Sequence, residues 1–173
     1  MKNLYWILPG AALAAAACFY LTRDPWLIQQ KRLASRLTSE ILAAQEVEIY
    51  VLDPARGGGP KGAAGVLPTN ELFGRRKVLG SAIISQPDER RLLCDSIGDG
   101  LRHAQIMGPE CWDPRRALRF RTSAGDSYLV VSFSCTHGFV DEAGSGTDWF
   151  DVTRKSQAAW DSILSAHHVA YPE

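Results

Sequence analysis

The segment Cys111-Trp112-Asp113-Pro114-Arg115-Arg116-Ala117-Leu118-Arg119 gathers more chemistry than any other stretch of the chain. With Arg121 it places four guanidinium groups within seven residues, and the planar guanidinium fork suits bidentate capture of a carboxylate or phosphate. Asp113-Pro114 would hold Arg115 in a rigid turn, so Cys111, Trp112, Asp113, Pro114, Arg115 and Arg119 form a candidate binding group for an anionic ligand or a protein surface. The bland use of the same residues is a solvated strand face whose charges resist edge pairing.

Other reactive residue types lack the spacing their chemistry requires. His167-His168 cannot both point one way on a helix, which argues against a chelating pair and for one core or interface imidazole beside a solvent-facing one. Asp141, Glu142, Asp148 and Asp151 surround a Gly/Ser loop without the spacing of a calcium loop. Gly144-Ser145-Gly146 lacks the flanks of a nucleophile elbow, and no Cys-x-x-Cys, His-Glu-x-x-His or phosphate-binding loop occurs. An enzyme is not indicated. Cys111 and Cys135 lie near the base of the same expected hairpin, where they either pack as small apolar side chains or join in a disulfide if the domain is exported.

The elements that must position these residues are legible in the periodicity. Leu27, Ala34, Leu37, Ile41 and Ala44 make one stripe of an amphipathic helix over residues 26–45, started by Asp24-Pro25. It serves as a helix packed on the sheet, a juxtamembrane arm or a pairing helix. Val47, Ile49 and Val51 alternate with Glu48, Tyr50 and Leu52, as in a strand with one buried face. From Pro54 to Pro68, eight of 15 residues are Gly or Pro, which marks a flexible connection. Lys77–Ile84 is a second strand, and Ser85-Gln86-Pro87-Asp88 opens a helix whose stripe is Leu93, Ile97, Leu101 and Ala104, running to about residue 107. Leu118 and Phe120 alternate with Arg119 and Arg121, Ser123-Ala124-Gly125-Asp126 turns the chain, and Tyr128–Cys135 returns as a hairpin strand. Residues 136–141 extend that strand or add another, a Gly/Ser loop follows, and Asp151 or Thr153 caps a last helix carrying Trp160, Ile163, Leu164 and His167. This order predicts an α+β domain, a small antiparallel sheet with helices on one face.

Leu4 to Leu21 are 18 residues without a charge, about 27 Å as a helix and just enough for a hydrocarbon core of about 30 Å. The expected organisation is therefore a transmembrane anchor or signal segment at 1–22, the amphipathic helix at 23–46 and a single α+β domain at 47–173. Ala14–Ala17 offers the small residues a signal peptidase reads, and Ala15-Ala16-Ala17-Cys18 looks like a degenerate lipobox with Cys18 as the lipidation site. Arg23, Lys31, Arg32 and Arg36 outweigh Lys2 and favour a cytoplasmic body, whereas cleavage or lipidation demands the opposite side. With 19 Lys+Arg against 19 Asp+Glu the chain offers no field for nucleic acid. Its 173 residues, 46% hydrophobic and 22% charged, exclude disorder.

Phe73-Gly74-Arg75-Arg76-Lys77-Val78-Leu79-Gly80, the Cys111-Trp112-Asp113-Pro114-Arg115-Arg116 segment and Ser132-Phe133-Ser134-Cys135, in this order within residues 47–140, resemble a family of small bacterial proteins, often exported or lipoprotein-like. Its members read Phe-x-Gly-x-x-Val-Leu-Gly, Cys-Phe-x-Pro-Arg-His and Cys-Phe-x-Cys. The resemblance carries no activity; it implies a site of three Cys and one His, the ligand types zinc prefers. The matching positions here are Cys111, Arg116, Ser132 and Cys135, so two of the four ligands are replaced. His137 could restore one, leaving Cys111, Cys135 and His137 as a zinc or thiol-based candidate. The leading expectation is a membrane-tethered, non-enzymatic binding or accessory domain that meets a protein or an anionic ligand through Trp112, Arg115 and Arg119; the alternative is a metal-dependent or thiol-based module at Cys111, Cys135 and His137.

Overall fold

A computed structural model of the chain describes residues 25–53, 72–73, 76–102, 112–143 and 146–170. Pro25–Ala43 form helix α1, where a proline at the first position fits the fixed φ that a helix start requires. Strand β1 (Glu46–Leu52) follows, then β2 (Leu72–Phe73), β3 (Arg76–Ile83) and helix α2 (Pro87–Arg102). Next come β4 (Arg116–Thr122), β5 (Gly125–Ser132), β6 (His137–Glu142), β7 (Gly146–Asp151), a 3₁₀ turn at Arg154–Ser156 and helix α3 (Gln157–Ala166). The expected leader, with Cys18, and the Gly/Pro-rich stretch 54–68 fall outside the described residues, as does the expected extension of α2 beyond Arg102. Among the described residues no helix is long and apolar enough to cross a membrane.

The strands lie in the order β2-β3-β1-β4-β5-β6-β7, and each neighbouring pair is antiparallel. β2 is a two-residue addition to one end of β3, so the working sheet has six strands. From β4 onward every strand pairs with the next in sequence, which keeps the connections short.

Alternation along each strand sorts the side chains onto two faces. Val47, Ile49, Val51, Leu118, Phe120, Leu129, Val131, Val140 and Phe150 join Leu37 and Ile41 of α1, Leu93, Ile97 and Leu101 of α2, and Trp160 and Leu164 of α3 in one buried cluster. All three helices therefore cover the same face. Full burial contributes about 1.5–3 kcal/mol for each large apolar side chain, and Leu37, Ile41, Phe120, Leu118 and Trp160 all reach that state. α1 supplies Leu37 and Ile41 at 0% exposure, which is the packed role among the three its stripe allowed. On the opposite face Leu52, Ala117, Val130 and Phe139 form a second cluster, flanked by Tyr50, Val78, Trp112 and Tyr128.

The stretch expected to be a Gly/Ser loop leading into a helix contains β7 instead. Its alternation is disguised, because Asp148 occupies a helix-side position and pairs there with Arg36 of α1 at 2.8 Å. Neither expected cap donates its side chain to the last helix. Thr153 precedes the 3₁₀ turn without a side-chain cap bond, and Asp151 is turned to His137.

The glycines of α2 have a packing reason that outweighs their low helix propensity. A Cβ on Gly100 would lie 2.8 Å from Val152 Cγ2 and 2.6 Å from Ser156 Oγ, so α2 approaches the β7–α3 connection backbone-first. Thr136, in the turn between β5 and β6, has φ 59°, a left-handed conformation that a β-branched residue rarely adopts. Its carbonyl accepts the Val152 amide at 2.9 Å, and its neighbour Cys135 is disulfide-bonded.

Candidate functional site

Trp112, Asp113, Pro114 and Arg115 run into β4 along the sheet face that the helices leave uncovered. Trp112 packs on Phe139 of β6 at 5.7 Å between ring centroids and edge-on against Trp149 of β7 at 5.4 Å, and Phe139 meets Trp149 at 5.5 Å. Such offset and edge-on pairs add about 0.5–1.5 kcal/mol beyond their buried area. The cross-strand row Tyr50–Ala117–Val130–Phe139–Trp149 explains the cluster, since partners in adjacent strands share a face. Phe139 is buried, while Trp149 is 49% exposed and opens the cluster to solvent.

The turn ahead of β4 is tied down as its sequence suggests. The Asp113 amide donates to Ser132 Oγ at 3.2 Å, Arg115 Nε donates to Asp113 Oδ2 at 2.9 Å, and Pro114 is buried. Arg115 is held in a rigid turn, and by the carboxylate two residues before it.

Each of the four arginines has a carboxylate of this chain. Arg119 lies between Glu46 and Glu48 of β1 and donates to Glu48 Oε2 at 2.9 Å. Arg121 donates from Nε to Asp126 Oδ1 at 2.7 Å and from Nη2 to Asp126 Oδ2 at 3.2 Å, and that hydrogen-bonded guanidinium holds the Asp126 carboxyl below its ordinary range. Glu48 also accepts the Tyr50 hydroxyl at 2.5 Å; burial, then that hydrogen bond, pushes the Tyr50 phenol above its usual range. The positive run is thus compensated internally. This weakens the anion clamp as a use of Arg115 and Arg119 and leaves the aromatic cluster, half-exposed at Trp149, as the prominent feature of this face.

Arg116 departs from the solvated strand face expected of the run. It points to the helix side, is 4% exposed, and sends Nε and Nη2 to Asp161 Oδ1 of α3 at 3.0 and 2.7 Å. It fastens β4 to α3 and does not belong to the opposite face.

Register puts Ser132, His137 and Asp151 in one row across β5, β6 and β7. His137 Nδ1 and Asp151 Oδ1 are 2.7 Å apart, with both side chains mostly buried. Ser132 has no solvent exposure and its Oγ accepts the Asp113 amide, so it is not presented to an external substrate. Cys135 is disulfide-bonded and Cys94 is free, which leaves Cys135's partner among the cysteines outside the described residues. A sulfur in a disulfide is not a thiolate ligand. Among the described residues no group of three His, Cys, Asp or Glu side chains is arranged to hold a metal ion, and Cys111, the third candidate, lies outside them.

The remaining reactive residues act within the fold. Cys94 is 3% exposed, and burial raises its thiol to about 11, which makes it an inert packing residue. His167 Nε2 lies 3.1 Å from both carboxylate oxygens of Glu89 and ties α3 to α2. Of the acidic cluster, Glu142 and Asp148 meet Arg36, Asp141 accepts Thr147 Oγ1 and Asp151 meets His137. Strand alternation divides these carboxylates between the two faces.

Trp149, Phe139 and Asp161 complete these arrangements without standing out in the sequence. Trp149 had one local signal, the alternation of Thr147, Trp149 and Asp151. Asp161 had none, since it meets Arg116 from 45 residues away. The class that fold and site define is an α+β domain with one helix-covered sheet face and an opposite face bearing an aromatic cluster, half-exposed at Trp149, among self-compensated charges. No family model, curated protein or solved structure matches the chain.

Proposed function

We propose that the chain is a membrane-tethered, non-enzymatic binding or accessory domain that recognises a protein partner through Trp149, on the sheet face opposite the helices. The observation that carries this reading is Trp149, 49% exposed at the edge of an aromatic cluster whose other rings are held in place by packing. Rigid, half-exposed aromatic side chains are the residues that anchor protein interfaces, because they cover much area while losing little rotamer freedom. The compensated arginines beside it would contribute orientation rather than strength. The uncharged stretch Leu4–Leu21 is the proposed tether, with the resemblance to exported, lipoprotein-like bacterial proteins in its favour.

A disulfide at Cys135 fits an extracytoplasmic body, because such bonds persist in oxidising compartments. Its proposed partner is Cys111, which lies outside the described residues. The same bond argues against zinc at Cys111, Cys135 and His137 and recasts the cysteines as a brace for the turn.

The test is photo-crosslinking in native membranes. A photoreactive residue at Thr147, exposed on the same face as Trp149, should give a discrete adduct that Trp149→Ala abolishes; the same group at Ser162, exposed on α3, should give none. Equal adducts from both positions, or none from Thr147, would refute recognition through this face. Protease accessibility in the same membranes, with Cys18→Ala alongside, tests the tether. A chain that fractionates away from the membrane with residues 1–22 intact would refute it.

A further inference from the structure

On the helix-bearing side, away from Trp149, a cleft of about 770 Å³ lies between α2 and the β7–α3 connection. Its size falls in the range of small-molecule sites, roughly 300–1,000 Å³. Its walls carry opposite charges. Asp95 and Asp99 line it from α2, and Arg154 and Lys155 line it from the 3₁₀ turn, two charges of each sign.

Much of that charge is unspent. Arg154 uses one nitrogen on the Ser134 carbonyl at 2.7 Å, and neither Asp95 nor Lys155 has an ion pair among the described residues. Asp99 is partly engaged, with Arg102 at 3.2 Å.

The floor is rigid and its polar groups are already satisfied. Trp160 Nε1 donates to Ser96 Oγ at 3.1 Å, and Ser96 Oγ donates to the Ser156 carbonyl at 3.1 Å. Thr136, held in its left-handed conformation beside the disulfide-bonded Cys135, also lines the cleft. Strained residues persist where the surrounding structure over-determines them, and they cluster at ligand sites.

We infer that this cleft binds a compact zwitterion of the amino-acid or short-peptide class, with its ammonium group toward Asp95 and its carboxylate toward Arg154 and Lys155. A cleft of zero net charge with separated signs favours a ligand that is itself neutral overall and charged at both ends. A simple anion would gain from one wall and be repelled by the other. Leu92 on α2 and Ala159 on α3 supply the apolar lining that a short side chain would cover. This inference does not rest on the proposed recognition face, and either can fail alone.

The probe is the free tripeptide Ala-Ala-Ala, titrated into the isotopically labelled full chain in mild non-ionic detergent and followed by backbone amide resonances. Saturable shifts are expected at Asp95, Thr136 and Lys155 and not at Trp149. Asp95→Asn and Lys155→Gln, both at exposed positions, should each weaken binding about threefold to fivefold. Acetylating the amine and amidating the carboxylate together should weaken it about tenfold or more. The proposal is overturned by no saturation up to about 20 mM tripeptide, by equal binding of the doubly blocked peptide, or by shifts that map to the sheet face around Trp149. Equal affinity for Ala-Ala-Ala and its N-acetyl form would also overturn it, by showing that the cleft reads a carboxylate alone.

Discussion

Removing the Asp161 carboxylate takes an ion-pair partner from a charge that the fold has already taken out of water. Arg116 is 5% exposed at its side chain and Asp161 21%. Arg116 Nε and Nη2 both reach Asp161 Oδ1, Nη1 donates to the Arg115 carbonyl at 3.0 Å, and Gln157 holds Asp161 Oδ2 at 3.0 Å. Breaking a buried pair from one side costs about 3–5 kcal/mol, because the other charge stays desolvated. Asp161 reaches some solvent, so Asp161→Ala falls near the low end, about 3 kcal/mol. Arg116→Met removes the buried charge itself and leaves a carboxylate that can hydrate, which costs about 1 kcal/mol by the same reasoning. For a domain of this size 1 kcal/mol is about 2–4 °C in Tm. Asp161→Ala is therefore expected to lower Tm by about 6–12 °C, and Arg116→Met by about 2–4 °C. In the double variant Arg116→Met should recover most of the loss, with a coupling of about 3 kcal/mol. Thermal and urea unfolding of the four proteins by circular dichroism measures each quantity. Equal losses from the two single changes, adding without coupling, would show that the pair is not an energetic unit.

Three further outcomes follow from the same geometry. Gly138→Ala places a Cβ 2.3 Å from Phe150 Cζ and 2.8 Å from the Val130 carbonyl. Overpacking of that kind costs about 1–3 kcal/mol or more; Gly80→Ala, which meets only the partly exposed Val169, should cost less, and the reverse order in chemical denaturation would contradict this packing. The Asp126 carboxyl, held low by Arg121, contributes stability that is fully present above the ordinary aspartate range near pH 4 and is lost as pH falls through its depressed value. The pair is solvent-screened, so the contribution is small; Asp126→Asn should flatten the acid limb of a stability-versus-pH curve, and an unchanged limb would count against the pairing. The unreduced, denatured chain with its four cysteines should titrate two thiols, four minus the two of one disulfide. Peptide mapping without reductant should find Cys111 joined to Cys135, and Cys135 joined elsewhere would remove the proposed brace.

The parts of the fold readable beforehand were those whose periodicity follows local geometry. The α1 stripe through Leu37 and Ile41, the alternation of Val47, Ile49 and Val51, and the turn at Ser123-Ala124 between β4 and β5 each need only neighbours three, four or two residues away. β7 was hidden because Asp148 sits at a helix-side position that strand alternation normally gives to an apolar residue, and what makes it tolerable is Arg36, 112 residues distant. The candidate site divides in the same way. The turn Trp112–Arg115 could be read as a rigid, ligand-facing unit, and Arg119 and Arg121 share the face their spacing assigns them. What the arginines neutralise, which of them is buried and which rings gather around Trp112 depend on strand order and register.

By itself the amino-acid order determines that this chain is α+β, that its charges balance, and which residues alternate on each strand. Only the tertiary arrangement decides that Arg116 is an internal fastener, that Arg119 is already engaged by Glu46 and Glu48, and that Asp95 and Lys155 line one cleft. The physical reason is range. Propensity and periodicity act over a few residues, whereas compensation of a charge and closure of a cleft require groups brought together from distant parts of the chain.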